Sequence, residues 1–68
     1  MTTAYLRALG RSEEGGWVEF SDGFVLRGGP ALVPALYALF PGKPPLGELV
    51  ERRVLPGGKI AFTRGNLA

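Results

Sequence analysis

The chain has no histidine, cysteine or glutamine, and only one aspartate, Asp22, among its 68 residues. Histidine is the usual group that trades protons near neutral pH, and cysteine the usual soft nucleophile. Five glutamates, two tyrosines and two lysines remain, a thin inventory for catalysis. The expectation is therefore a protein that is not an enzyme. The same absences remove the usual ligands of zinc, copper, haem and iron–sulfur clusters, so neither a metal nor a cofactor is expected. Without cysteine there are no disulfides. No apolar run approaches the ~18 residues that suggest a membrane span. Met1 to Tyr5 shows neither the charged nor the apolar region of a signal peptide, which points to the cytoplasm and away from a membrane.

Sixty-eight residues suit one domain, taken as 1–68. A chain this short buries only about 60% of the surface its unfolded form exposes. Small domains usually need a staple, and with disulfides and metals unavailable the staple left is oligomerisation. A homodimer or other self-association is one expectation, and tight packing of the single chain is the alternative. Hydrophobic content of 46% argues for a folded globule and against disorder. The net charge of +2, from eight cations of which six are arginine, permits nucleic-acid binding without requiring it. Few thermolabile side chains and many loop prolines lean towards a thermophilic source; a GC-rich genome gives a similar bias.

Two hairpin signals flank one helical stretch. In the first, Trp17 to Phe20 and Phe24 to Arg27 enclose Ser21-Asp22-Gly23, and Asp-Gly tolerates the positive φ of a tight turn. Period-two alternation places Val18 and Phe20 on one face, with Trp17 and Glu19 on the other. Ala4 to Leu9 reads as a preceding strand, with a short helix as the alternative, and Gly10 to Gly16 as an exposed turn; the strand reading gives a three-stranded antiparallel meander. Gly28-Gly29-Pro30 ends the third strand. Leu32, Leu36, Leu39 and Phe40 have helical spacing. Pro34 is tolerated only in a first turn, so the regular helix is expected from Val33 or Pro34 to Phe40. Periodicity leaves residues 46–51 open between helix and strand. The second hairpin is Arg53-Val54-Leu55, a Pro56-Gly57 turn of type II character, and Ile60 to Thr63. The expected fold is a small α+β domain of order β-β-β-α-β-β.

That order and its turns resemble a family of short bacterial proteins of unknown function. Its members share a Phe-x-Asp-Gly hairpin and a closing hairpin with an aromatic followed by x-x-Gly. Here Phe20-Ser21-Asp22-Gly23 matches the first signature. Gly57 to Gly65, with Phe62 and Gly65, looks like the second, and Asn66-Leu67 follows in the usual place. The chain departs from the pattern at Phe62, where the family has tryptophan, and at Gly28-Gly29, where an aspartate is common. The resemblance implies a helix packed on an antiparallel sheet. It also implies a partner encoded alongside, since members often occur in pairs read as toxin–antitoxin modules. It carries no catalytic residues.

Each candidate site has a plainer alternative. Asp22 could serve a metal or a proton transfer, but a turn former bonded to its own backbone is the simpler role. The pairs Gly15-Gly16, Gly28-Gly29 and Gly57-Gly58 invite a phosphate cradle. Only the second precedes a helix, and Pro30 and Pro34 lack the amides an anion would use. Glu13-Glu14, and Glu48 with Glu51, read as solvated faces. Arg52, Arg53, Lys59 and Arg64 form the densest basic cluster, and Arg7, Arg11 and Arg27 lie on the other strands. Projecting from one sheet face beside Trp17 or Tyr5, they would stack bases and neutralise phosphates, the basis of a nucleic-acid reading set against an ordinary charged surface. Trp17, with Glu19 and Tyr5, marks the face opposite the expected core, and exposed tryptophan is enriched at interfaces. The sequence thus favours a non-enzymatic protein-binding module, antitoxin-like or regulatory, that engages itself or a small neighbour-encoded protein. A nucleic-acid-binding protein and a structural subunit of a larger assembly are the alternatives.

Overall fold

A computed structural model of the chain describes residues 2–66. Its elements are β1 (Thr2–Ser12), β2 (Gly15–Phe20), β3 (Val25–Gly28), α1 (Leu32–Leu39), β4 (Leu49–Val54) and β5 (Ile60–Arg64). The order is the expected β-β-β-α-β-β of a small α+β domain. The meander and the closing hairpin fuse into one antiparallel sheet of order β3-β2-β1-β4-β5. What joins them is the length of β1. Residues 2–5 pair with β4, while residues 6–12 pair with β2. The register slips between Leu6 and Ala8, leaving Arg7 as the extra residue of a bulge. A bulge bends its strand and increases the local twist, and here it falls where β1 changes partners.

One sheet face carries the core. Ala4 and Leu6 of β1, Val18 and Phe20 of β2, and Val50 of β4 pack with Leu36 and Phe40. Val18 and Phe20 are fully buried, as their alternation with Trp17 and Glu19 requires. Helix α1 starts at Leu32, one or two residues before the expected start, and Phe40 is its C-cap. Pro34 stands in the first turn, where its missing N–H has no intrahelical partner to lose. Val33 and Leu36 are the helix residues buried against the sheet.

The segment Gly10 to Gly16 departs from expectation. Strand β1 continues through Ser12, only Glu13-Glu14 form the turn, and Gly15 and Gly16 are buried in β2. A Cβ on Gly16 would stand 2.9 Å from Val33 Cγ2, and one on Gly15 only 2.1 Å from the carbonyl oxygen of Gly28. The pair is small so that α1 and β3 can approach β2, which is a packing requirement and not turn chemistry. Residues 46–51 resolve into a turn and then strand. The Glu48 N–H donates to the Pro45 carbonyl at 3.0 Å, and β4 begins at Leu49. The closing hairpin is therefore longer on its first arm than Arg53 to Leu55. Strand β3 begins at Val25, one residue later than expected, and includes Gly28. Gly57 has a φ of +88°, the value a type II turn needs after Pro56. Leu67, part of the closing signature, lies outside the described residues.

The smallest dimension is 21 Å, against 38 and 31 Å for the other two. Phe20 of β2 stacks on Phe62 of β5 at 5.9 Å, although β1 and β4 lie between those strands, so the sheet curls around the core. Helix α1 packs against β1, β2 and β5 on the inner side, and the outer, convex side carries no helix. Among the described residues no helix is long and apolar enough to cross a membrane.

Candidate functional site

The Phe20-Ser21-Asp22-Gly23 turn is tied down residue by residue. The Phe20 N–H donates to the Phe24 carbonyl at 2.9 Å, and the Gly23 N–H to the Phe20 carbonyl at 2.9 Å. Gly23 has a φ of +89° with open space around it, so glycine is there for its backbone conformation. The Ser21 hydroxyl oxygen accepts from the Tyr5 N–H at 3.0 Å, and the Ser21 N–H donates to the Tyr5 carbonyl at 2.8 Å. Asp22 accepts from the Phe24 N–H at 3.2 Å, the local bond expected of an aspartate in a turn.

Asp22 also has a distant partner. Arg52 Nη1 donates to Oδ1 at 3.0 Å and Nη2 to Oδ2 at 2.5 Å, a two-point fork from β4 to the β2–β3 turn. The guanidinium carbon lies 4.1 Å from the centre of the Phe24 ring and 4.7 Å from that of Phe20. Phe20 in turn stacks on Phe62 at 5.9 Å. Arg52 is 9% exposed, the one charged residue buried among those described. The Arg52 hydrogen bonds hold the Asp22 carboxyl at about 2, below its ordinary 3.8. Charge-assisted bonding to the ionised form produces that direction. The arrangement is a clasp that ties β4 to the β2–β3 turn across the aromatic side of the core.

This clasp corrects the basic cluster. Arg52 is committed to Asp22 and two rings and does not face solvent as a phosphate contact must. Arg64 lies on the helix side of the sheet, its guanidinium 5.3 Å from the centre of the Phe40 ring. Arg53 follows Arg52 on β4 and so projects from the opposite face, while Lys59 lies in the loop before β5. Four cations within thirteen residues of sequence are thus divided between the core, two faces and a loop. Glu48 pairs with Lys43, and Glu13 and Glu14 are exposed in their turn. None of the carboxylate pairs converges, and the described residues hold no group of three or more potential metal ligands.

The residues that do come together are those of the uncovered face. Cross-strand pairing puts Trp17 opposite Gly10 and Arg27, Glu19 opposite Ala8 and Val25, and Tyr5 opposite Leu49. Paired residues share a face, so the three residues marked by sequence, Trp17, Glu19 and Tyr5, stand on one surface. Trp17 is 37% exposed and Tyr5 47%, and Val25 is 53% exposed. A Cβ on Gly10 would meet the Trp17 ring at 2.5 Å. The indole therefore lies against the glycine backbone, part covered and part open. Leu49 covers Gly65 in the same way, within 2.6 Å of a Cβ built there. Arg7 reaches Glu19 at 3.6 Å, and Glu51 and Arg53 extend the polar margin along β4. Both lysines lie in loops outside this face. Beside Trp17 an open trough runs over Ser12, Glu14 and Arg27.

Sequence reasoning found Trp17, Tyr5 and Glu19 through period-two alternation. It missed Val25, Leu49 and Gly10, which reach the face only through strand pairing. No family model, curated protein or solved structure matches the chain.

Proposed function

We propose that this protein is a non-enzymatic binding module that engages a protein partner through the helix-free face of its sheet. The observation that carries the reading is the composition of that face. Tyr5, Trp17, Val25 and Leu49 form an apolar patch, and Arg7, Arg27, Arg53, Glu19 and Glu51 surround it. Aromatic residues and arginine at the expense of lysine are the compositional mark of protein interfaces, with apolar residues inside and polar ones at the rim. Trp17 and Tyr5 offer large contact areas at small entropic cost, because strand pairing already holds their backbones. An antitoxin-like or regulatory accessory role, acting on a small protein encoded alongside, fits such a face and follows from the family resemblance. A second reading, nucleic-acid binding, gives up Arg52 and Arg64 but keeps Arg53, which joins Arg7 and Arg27 beside Trp17 and Tyr5 on this same face.

The test is positional cross-linking in cells. A photoreactive residue replaces Val25 on the uncovered face or, as control, Tyr37 on the exposed side of the helix (44% accessible). Adducts with protein from position 25 and none from position 37 are expected. Equal labelling from both, or none from position 25, refutes the reading.

A further inference from the structure

Resting on that reading, we infer that the protein partner docks an extended segment on the free edge of β3, adding a strand to the five-stranded sheet. The chemistry of that segment is set by β3: an apolar residue opposite Val25, another opposite Leu26, and an acidic residue opposite Arg27.

The register shows where the edge is open. The Phe20 N–H donates to the Phe24 carbonyl, and antiparallel pairs alternate between bonded and non-bonded. Stepping by two along the ladder makes Val18 with Leu26, and Gly16 with Gly28, the bonded pairs. The N–H and C=O groups of Val25 and Arg27 therefore point away from β2. Strand β3 ends the sheet, and none of these groups has a hydrogen-bond partner among the described residues. They offer donors and acceptors in alternation along an extended backbone. A polypeptide strand matches that alternation. A row of phosphates accepts but does not donate, and would leave both carbonyls unmet.

The two ends of the sheet are protected differently. Natural sheets blunt an edge with lysine, proline, a bulge or a covering element. Strand β5 follows Lys59, ends on Arg64 and has helix α1 packed against it. Strand β3 is Val25-Leu26-Arg27-Gly28, with no lysine, proline or bulge, and Val25 is an exposed apolar residue on it.

Side chains then select the segment. Residues opposite one another across a ladder share a face. Val25 and Arg27 stand on the outer face with Trp17, and Arg27 makes no ion pair among the described residues. The open trough over Trp17, Arg27 and Gly28 leaves room for an outward side chain of the added strand. Leu26 and Phe24 are only partly buried against the core, and an inward apolar residue between the two outward ones would cover them. A second copy of β3 is a poorer match, because the strand holds no acidic residue to set against Arg27.

The experiment selects displayed random linear octapeptides on the full chain. An enriched set is expected in which an acidic residue lies two positions from an aliphatic one. Arg27→Glu should turn that preference from acidic to basic. Amide hydrogen exchange read by NMR should show Val25 and Arg27 exchanging faster than Leu26 in the free protein, and slowed by a synthetic peptide from the enriched set. A second measurement needs no protein variant. Methylating a peptide N–H that faces β3 should weaken binding roughly three- to tenfold per group, and methylating the alternate N–H groups far less. The inference is overturned by the absence of an enriched set, by an unchanged acidic preference in Arg27→Glu, by unprotected Val25 and Arg27 amides in the complex, or by equal effects of both methylation patterns. Amides at 25 and 27 that become protected in the protein alone as its concentration rises, with sedimentation at twice the chain mass, overturn it in favour of a second copy. Adducts from position 25 in cells despite any of these results mean that only the added strand is lost; their absence removes the binding reading as well.

Discussion

Arg52→Ala tests the clasp most directly. The substitution deletes two buried methylenes, worth about 1.6 kcal/mol at ~0.8 each. It also removes two ring contacts, at 4.1 and 4.7 Å, worth about 0.5–1 kcal/mol apiece at a partly desolvated site. The ion pair adds little to this sum. Asp22 sits at the surface and regains water when the guanidinium leaves, while the buried partner is the one removed. The expected loss is about 2.5–3.5 kcal/mol, from a total of about 3–10 kcal/mol for a domain of this length. At about 4–8 °C per kcal/mol for so small a domain, Tm should fall by roughly 10–28 °C in a thermal melt followed by circular dichroism. Two further variants separate the causes. Arg52→Met keeps a long apolar side chain between Phe20 and Phe24 and should recover part of the loss. Arg52→Lys keeps the charge but neither the flat stacking nor the two-point fork, and should recover less than Met. A melting temperature within ~2 °C of wild type for Arg52→Ala would refute the reasoning, as would a lysine variant equal to wild type.

The pH dependence follows from the same pair. The folded state holds the Asp22 carboxyl near 2, below its ordinary 3.8, so the unfolded chain binds more protons between those values. The clasp's contribution is complete above about pH 4 and is lost as pH falls towards 2. Asp22→Asn should lower stability at pH 6 and flatten this part of the acid limb, measured by urea unfolding at pH 2, 3, 4 and 6. Gly15→Ala should be more damaging than Gly16→Ala. The first drives a Cβ into a backbone oxygen at 2.1 Å, and the second meets a side-chain methyl at 2.9 Å that can shift; comparative melting curves decide. Titration with single-stranded RNA or DNA oligomers at low salt should leave Trp17 emission unchanged. A saturable change that weakens with salt would restore an electrostatic nucleic-acid surface.

The elements were legible in the sequence because their signals are local. Asp22-Gly23 and Pro56-Gly57 encode turns through backbone dihedrals, and the alternation of Val18 and Phe20 with Trp17 and Glu19 encodes a half-buried strand. Pro34 set the start of α1 to within two residues, because proline is excluded only from a helix interior. The glycines misled where their role is steric. Gly15-Gly16 has the composition of a turn, and only the approach of Val33 and Gly28 shows that it is a strand packed too closely for side chains. Likewise Arg52 and Arg53 read as one basic patch, although strand alternation alone sends them to opposite faces.

What the sequence determined by itself is the β-β-β-α-β-β order and the residue sets that share a face, since both depend on contacts a few residues apart. The tertiary structure decided how those parts meet. It set β1 between β2 and β4, brought Arg52 thirty residues along the chain to Asp22, and laid the helix on one face while Trp17, Tyr5 and Val25 gathered on the other. Those outcomes depend on which strand edges pair and which surfaces exclude water together. Periodicity names the residues of a face, but only folding determines what covers it.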